Sequence, residues 1–270
     1  MNFSAIIALF AAVILILASH HNDGASMVSL LQPSAVMIVL GGTFCAAIVN
    51  FTPSTLMSAL RASVDVFVEK PQSYKVIDEI VYLAHQARVK GLFSLNNLVD
   101  NIQDPFLKRG VQLSIDFNNP QMIYDILKAE IAYDEEEELI NSRVFEALGG
   151  YAPTFGIVGA VFGLIQIMGY IEQPDILAQG IAVAFVSTLY GVGFANLLFL
   201  PVAGKLKMNL REKVLLKEVV LQGIVSIQME ESPMVIEEKL VAYLKYHGTG
   251  HIPGVINARN SQNSGMYGAR

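Results

Sequence analysis

The stretch "YAPTFGIVGAVFG", residues 151–163, decides how the rest of the chain is interpreted. It carries no charged residue and is apolar enough to begin a helix that crosses a membrane. A helix that contacts only lipid would be built from large apolar side chains, whereas this one contains Pro153 and three glycines. Proline removes a backbone hydrogen-bond donor and can bend or break a helix. The composition therefore indicates a span with a task beyond crossing lipid.

The glycines indicate close contact between helices. Gly159 and Gly163 form a GxxxG pair, and Gly156 and Ala160 are likewise four residues apart. Small residues at this spacing let two helix backbones approach closely within lipid. The spacing fits packing between two spans of one chain, and it equally fits oligomerisation around a central partner.

The whole composition is that of a membrane protein. The chain has 270 residues, of which 53% are hydrophobic and 16% charged, where a soluble domain has about a quarter charged. Its mean hydropathy is +0.47. The apolar residues concentrate in four stretches without Asp, Glu, Lys or Arg, namely Phe3–Ala18, Pro33–Phe51, Tyr151–Tyr170 and Ala178–Val202. Since about 20 helical residues cross a bilayer, these stretches predict four transmembrane helices, the first of them short.

The first stretch has an alternative interpretation as a secretory signal peptide. Its apolar run is followed by "ILASHH", residues 16–21, which resembles a cleavage region. It lacks the Lys or Arg that normally precedes such a run, so we favour a retained span.

The distribution of basic residues predicts the orientation. Segments 19–32 and 171–177 contain no Lys or Arg, whereas nine of the 18 basic residues lie between Arg61 and Arg143 and nine between Lys205 and Arg270. Positive residues remain on the cytoplasmic side. We therefore expect two short external turns, with both termini and the large insert in the cytoplasm.

The parts outside the spans predict helices and no strand. "SYKVIDEIVYLAHQARVKG" has apolar residues at helical spacing and predicts a helix that stops at Gly91. Asp104 and Ser232 are candidate caps at the starts of two further helices. A long helix is predicted to begin near Pro120. The predicted fold is all-α, a polytopic membrane protein with four transmembrane helices and a cytoplasmic helical domain. Its predicted parts are spans one and two (1–51), a cytoplasmic insert (52–150), spans three and four (151–202), C-terminal cytoplasmic helices (203–247) and a disordered tail (248–270).

No enzyme or metal signature is found. The chain has no phosphate-binding loop, dinucleotide fingerprint or His-Glu-x-x-His motif. His20-His21 and the acidic run Asp134–Glu138 are more typical of a solvated turn and a solvated helix flank than of metal sites. Cys45 is the only cysteine and fits a small apolar role. We expect no catalytic residue, no metal and no cofactor, and the net charge of −6 counts against nucleic acid.

The absence of charge within the spans bears on function. Proteins that move ions normally hold an ionisable group at depth, which costs at least about 2.5 kcal/mol for a carboxylate. Here the later spans offer only neutral polar groups, among them Thr154, Thr188 and Asn196. If the protein moves ions, a partner must supply the carboxylate. Pro153 and Pro201, at the inner ends of spans three and four, fit either span edges or a hinge.

Four segments together resemble the A subunit of the bacterial flagellar motor stator, the MotA/PomA family. They are "GGYAPTFGIVGAVFGLI" (149–165), "AVAFVSTLYGVGFANLLFLPVAGKL" (182–206), "QGIVSIQMEESPMVIEEKLVAYL" (222–244) and "ARVKGLFSL" (87–95). The resemblance extends over nearly the full chain to about Leu244. It implies an inner-membrane homo-pentamer around two copies of a single-span B subunit (MotB/PomB type), whose aspartate accepts the ion.

The resemblance also implies roles for particular residues. Pro153 and Pro201 would couple ion passage to cytoplasmic movement, and Thr154, Ala160 and Thr188 would line the ion pathway. Sodium-type members are similar to one another in having threonine at the position of Ala160, so the alanine here favours protons over sodium ions.

A rotor contact is implied as well. Arg88 matches the basic residue of the family that engages the rotor protein FliG, and Lys90 would assist it. The family's acidic partner position is Asn96 here, and Asn97 is also uncharged, so Asp100 or Asp104 would substitute. Two other functions stay open on the sequence alone: an energiser of the ExbB/TolQ type, which usually has three spans, and a non-conducting membrane scaffold.

Overall fold

The computed structural model describes residues 30–65, 73–170 and 172–247. The first predicted span and the predicted disordered tail lie outside the described residues, except for five helical positions, Ile7, Ala11, Ile14, Leu15 and Ala18. Over the described ranges the chain is helical and contains no strand, which confirms the predicted all-α class.

Eight helices follow one another in the described chain, and they are numbered here in chain order. They are α1 (Pro33–Asn50), α2 (Pro53–Asp65), α3 (Ser73–Lys90), α4 (Pro105–Asp116), α5 (Pro120–Ile167), α6 (Pro174–Phe194), α7 (Leu200–Gln228) and α8 (Pro233–His247). Short 3₁₀ turns cover Leu92–Asn97, Val99–Asn101 and Met168–Tyr170. Two π-helical segments occur, Met37–Gly41 within α1 and Ala195–Phe199 between α6 and α7.

Three stretches are long and apolar enough to cross a membrane. They are Pro33–Asn50, Pro120–Tyr170 and Leu177–Gln228, as found among the described residues. The last two extend far beyond the predicted spans, because each apolar segment continues without a break into a polar helical segment. The long helix predicted to begin near Pro120 is confirmed, and α7 continues the fourth span as a helix to Gln228.

Local sequence signals account for the helix ends. Asp104 caps α4 by accepting a hydrogen bond from the backbone N–H of Leu107 at 2.7 Å. The backbone of Gly91 has a φ of +82°, a conformation that glycine adopts at little cost, and α3 ends there. Ser232 accepts from the N–H of Val235 at 3.4 Å at the start of α8. These three predicted signals are confirmed.

The chain divides into two compact units. The membrane unit comprises Met1–Lys70 and Glu136–Leu210, and the second unit comprises Pro71–Glu135 and Arg211–Arg270. The apolar parts of α1, α5 and α6 belong to the membrane unit.

The core of the second unit is built from aliphatic residues of several helices. Its largest fully buried side chains include Ile80, Leu83, Leu107, Ile123, Leu127, Leu221, Ile224, Ile236 and Leu240. Burying one such side chain contributes roughly 1.5–3 kcal/mol to stability, because its apolar surface is removed from water. Burial of this cluster is therefore the main stabilising contribution in the unit.

An ion-pair network flanks this core. Glu218 accepts from the Lys128 ammonium at 2.6 Å and from the Tyr243 hydroxyl at 3.0 Å. The hydrogen bond to Glu218 raises the pKa of Lys128. Burial, and then the hydrogen bond to Glu218, raise the pKa of Tyr243 to about 12. Lys217 pairs with Asp134 at 2.5 Å, so part of the acidic run serves to hold helices together.

The membrane unit has its own apolar cluster. Its buried members are Ala47, Ala59, Val144, Phe145, Leu148, Ala152, Ala195, Phe199, Val202 and Ala203. The Phe44 ring meets the Phe199 ring edge to face, with centroids 6.4 Å apart. Ser142 donates to the carbonyl of Ala203 at 3.1 Å, which satisfies a fully buried hydroxyl. Cys45 is exposed on α1.

Candidate functional site

The contact between α5 and α6 is made by small residues. A Cβ atom on Gly156 would lie 3.0 Å from the Ser187 carbonyl oxygen and 3.2 Å from the Gly191 Cα. One on Gly163 would lie 3.0 Å from the Ala184 backbone nitrogen. The helices therefore touch backbone to backbone, which requires glycine at these positions.

Three glycines of the third predicted span pack against α6 of the same chain. Gly156, Gly159 and Gly163 are all buried, and Gly159 faces Ser187, whose Oγ would lie 2.8 Å from an added Cβ. Of the two interpretations of the glycine spacing, packing between two spans of one chain is therefore the observed one. A partner would have to contact a different face of α5 and α6.

Neither proline ends a helix. Pro153 lies inside α5. Because proline has no backbone N–H, the carbonyl of Gly149 lacks the hydrogen bond that residue 153 would normally donate to it. Pro201 is the second residue of α7, directly after the π-helical segment, and the helix continues to Gln228. Pro153 is half-buried, whereas Pro201 is exposed.

The remaining predicted pathway residues lie on or beside the exposed face of the same helices. Thr154 and Thr188 are exposed, and each hydroxyl donates within its own helix, to the Tyr151 carbonyl at 2.6 Å and to the Ala184 carbonyl at 3.3 Å. Their oxygen atoms keep free lone pairs toward the outside. Ala160 is half-buried and contributes no polar atom. The face thus offers neutral oxygen atoms.

The described residues contain no group of three or more His, Cys, Asp or Glu that could hold a metal ion. The apolar portions of α1, α5 and α6 that cross the predicted bilayer core also lack any carboxylate. These helices can line a polar path and hydrogen-bond, but a proton carried at neutral pH needs an acid from elsewhere.

The predicted rotor-contact residues lie in the second unit, at the end of α3. Arg88 and Lys90 are exposed in its last turn, and within the described ranges neither takes part in an ion pair. Two apolar neighbours, Val89 and Phe93, are 66% and 79% exposed. Sequence reasoning missed this apolar component, although "VKGLF" places both residues beside the predicted basic ones.

The two acidic candidates near this end differ in availability. The Asp104 side chain is half-buried and occupied as the cap of α4. Burial, and then the charge of Asp104, raise the pKa of the nearby Glu79. The Asp100 side chain is 93% exposed and pairs with Lys108 at 3.1 Å. Asp100 is therefore the more accessible carboxylate, with a pairing that costs little to break.

Comparison with known proteins agrees with this architecture. Residues 98–219 match the model of the MotA/TolQ/ExbB proton channel family. Motility protein A of Bacillus subtilis (strain 168) is 33% identical over 225 residues, covering 82% of this chain and 83% of that protein. The structure of C. jejuni MotAB matches with a TM-score of 0.86 and 26% identity, covering 94% of this chain and 98% of that one. The flagellar MotAB stator complex of Bacillus subtilis matches with a TM-score of 0.82 and 31% identity, over 90% and 95%.

The chain belongs to the MotA/TolQ/ExbB proton channel family. The resemblance to the A subunit of the flagellar motor stator is confirmed, and with it the function that it implies, an ion-channel stator subunit of the flagellar motor. Because this family consists of channel subunits, the prediction that the chain is no enzyme is confirmed too. With its apolar spans it is an integral membrane protein.

Proposed function

We propose that five copies of this chain surround two copies of a single-span partner of the MotB/PomB type, whose aspartate carries the transported ion. One observation supports this most directly. The described spans present neutral oxygen atoms and no acid, so a channel subunit built this way is incomplete without an acid from a partner. The solved structures that this chain is similar to are MotAB complexes, which contain a B component as well.

The partner would contact the face of α5 and α6 that carries Thr154 and Thr188. The glycine-bearing face of α5 is already occupied by the contact with α6, and the Thr188 Cα lies at the edge of that contact, 3.4 Å from where a Cβ on Gly156 would be. Ala160 offers a methyl group where a second hydroxyl would help strip water from a sodium ion, which supports protons as the ion. Basic residues concentrated outside the spans support cytoplasmic termini and a cytoplasmic insert in the inner membrane.

The energy source would be the membrane potential. Each unit charge that moves through 100 mV releases about 2.3 kcal/mol. Stepwise protonation and release at the partner's aspartate would let the ring of A subunits step around the partner, with Pro153 and Pro201 coupling the step to the cytoplasmic part. Arg88 and Lys90 would then engage the charged surface of the rotor protein FliG. Val89 and Phe93 would add apolar contact area there.

Ion conduction is tested in cells that lack their own A and B subunits. The chain is co-expressed with a single-span, aspartate-bearing partner whose plug segment is removed, and cytoplasmic pH is followed with a ratiometric indicator after an external acid step. We expect rapid acidification and slow growth, both abolished by an Asp→Asn change in the partner. Absence of acidification despite co-purification of the two proteins would favour the scaffold. A sodium indicator in the same cells, under an inward sodium gradient, tests the choice of ion.

Coupling is tested with the double variant Pro153→Ala, Pro201→Ala in a motile background. We expect it to assemble with the partner and to lose most swimming. Full motility of the double variant would refute the coupling role. A matched control is Pro53→Ala at the start of α2, where proline's missing donor is not needed by the helix.

A further inference from the structure

The π-helical segment Ala195–Phe199 leaves one backbone carbonyl without a donor. The N–H of Leu200 donates five residues back, to the Ala195 oxygen, instead of four residues back to the Asn196 oxygen. The next residue, Pro201, has no N–H to donate. Both helical donors that could serve the Asn196 carbonyl are therefore lost.

The side chain of Asn196 adds a second uncommitted oxygen. Its Nδ2 donates to the Val192 carbonyl at 2.9 Å, which fixes the amide against its own helix. Within the part of the chain that the structure describes, Oδ1 accepts no hydrogen bond, and the residue is exposed. One residue thus presents a carbonyl oxygen and an amide oxygen, both with free lone pairs.

Such a residue is unfavourable in contact with lipid. Asn196 belongs to the charge-free apolar stretch Ala178–Val202, within the helical segment Leu177–Gln228 that is a candidate membrane span. In hydrocarbon each unsatisfied backbone group costs several kcal/mol, so freed carbonyls at membrane depth occur where protein covers them or where they line a water-filled path. The oxygen atoms of Asn196 therefore mark the side of the helix that is shielded from lipid.

A second polar residue lies on the same side. Thr188, Val192 and Asn196 are spaced four apart and all are exposed, so they follow one stripe along α6 into the π-helical segment. Thr188 is already the hydroxyl of the proposed pathway. The stripe runs from it toward Pro201, at the cytoplasmic end of the span in the proposed orientation.

We propose that Asn196 holds the water shell of the transported cation after it leaves the partner's carboxylate, with its carbonyl oxygen and Oδ1 as ligands. A water molecule held there accepts the proton from the carboxylic acid, which leaves a carboxylate and a hydronium ion. Hydronium and a sodium ion share this oxygen-ligand chemistry. This inference rests on the proposed function, and it gives Pro201 a further role, since its missing N–H keeps the carbonyl free.

The test uses the full chain with the unplugged partner and the acid-step assay. Asn196→Leu removes Oδ1 and keeps the same number and branching of side-chain heavy atoms, and we expect it to lower the initial acidification rate about tenfold. Pro201→Ala supplies a new N–H near the carbonyl, and we expect a fall of several-fold. Leu198→Val, an exposed apolar position in the same segment, is the control and should conduct like the parent chain. Membrane abundance and co-purification with the partner are measured for each variant.

The outcomes separate the two proposals. Parental rates in Asn196→Leu, with normal co-purification, overturn the role of Asn196. If Asn196→Leu does not co-purify with the partner, Pro201→Ala decides, and a parental rate in that variant overturns the inference. A parent complex that does not conduct at all contradicts the proposed function instead. Repeating the series under a sodium gradient, with a sodium indicator, shows which of the two cations the oxygens serve.

Discussion

The contact between α5 and α6 permits a quantitative test at Gly191. In Gly191→Ala the new Cβ would lie 2.6 Å from the Ala152 carbonyl oxygen and 2.9 Å from the Gly156 Cα. Both are backbone atoms, which cannot rotate away as a side chain can. Increasing the shorter distance from 2.6 Å to about 3.4 Å, an ordinary contact, moves the helices apart locally by about 0.8 Å. Overpacking of this kind costs about 1–3 kcal/mol.

A matched control lies two residues further on. At Gly193 an added Cβ meets no atom within 4 Å, and the residue belongs to the same helix. Both substitutions gain the helix propensity of alanine, up to about 1 kcal/mol in water. The comparison therefore isolates the steric cost. We expect the free energy of unfolding of Gly191→Ala to lie about 1–3 kcal/mol below that of Gly193→Ala.

The measurement is SDS-induced unfolding of the purified complex in detergent, followed by circular dichroism because the chain contains no tryptophan. Swimming and acidification rates of the two variants provide a second readout, since separation of α5 from α6 would displace Thr188. Coincident unfolding curves for the two variants, with normal conduction by Gly191→Ala, would refute the packing argument.

Three further predictions concern the second unit. Arg88→Ala should abolish or strongly reduce swimming while leaving acidification unchanged, because Arg88 is exposed and without an ion pair in the described structure. Lys75→Ala on the same helix is the control. Slow conduction by the Arg88 variant would contradict a rotor role. Asp104→Ala should lower the free energy of unfolding by about 1 kcal/mol through loss of the helix cap. Asp104→Asn keeps a capping oxygen and should lower it much less, as measured by chemical denaturation. Equal losses in the two variants would show that capping is not the cause. Tyr243→Phe should cost about 1 kcal/mol at pH 8 through loss of the hydrogen bond to Glu218. Since the pKa of Tyr243 is raised to about 12, this contribution is complete below pH 10 and is lost as pH rises toward 12. The melting temperatures of the parent chain and the variant should therefore converge over that range. A constant difference between them would exclude this titration.

Much of the fold followed from local signals in the sequence. Charge-free apolar stretches indicated the spans, and the residues that begin or end helices acted as their chemistry requires. Asp104 accepts an N–H, and Gly91 takes a positive φ, because these properties belong to single residues and depend little on distant contacts.

The π-helical segments could not be predicted in the same way. A π turn contains more residues than an α turn, so apolar periodicity read across Ala195–Phe199 loses its phase. The segment directly precedes Leu200 and Pro201, and its last residue, Phe199, is buried in the apolar cluster of the membrane unit. Composition placed the prolines at the inner ends of the spans, and continuous helices extend beyond both positions.

The glycine contact at the candidate site was predicted in part. The glycine spacing indicated a close helix contact without identifying the neighbour, since the two possible neighbours require the same small residues. The roles proposed for Arg88, Ala160 and Thr188 came from the family resemblance, because an exposed arginine or a single threonine carries no physical signal of its partner. The exposure of Val89 and Phe93 could not be predicted from the sequence, since the pattern of apolar and polar residues at the end of α3 does not reveal which side of the helix the core covers.

Cys45 has a practical consequence. As the only thiol of the chain, and an exposed one, it can be labelled without competing reactions within the chain. Replacing it by alanine gives a cysteine-free background in which a single new cysteine can carry a spin label or fluorophore at any chosen position. Distances between equivalent labels would then test the proposed ring of five copies and its proposed stepping around the partner in native membranes.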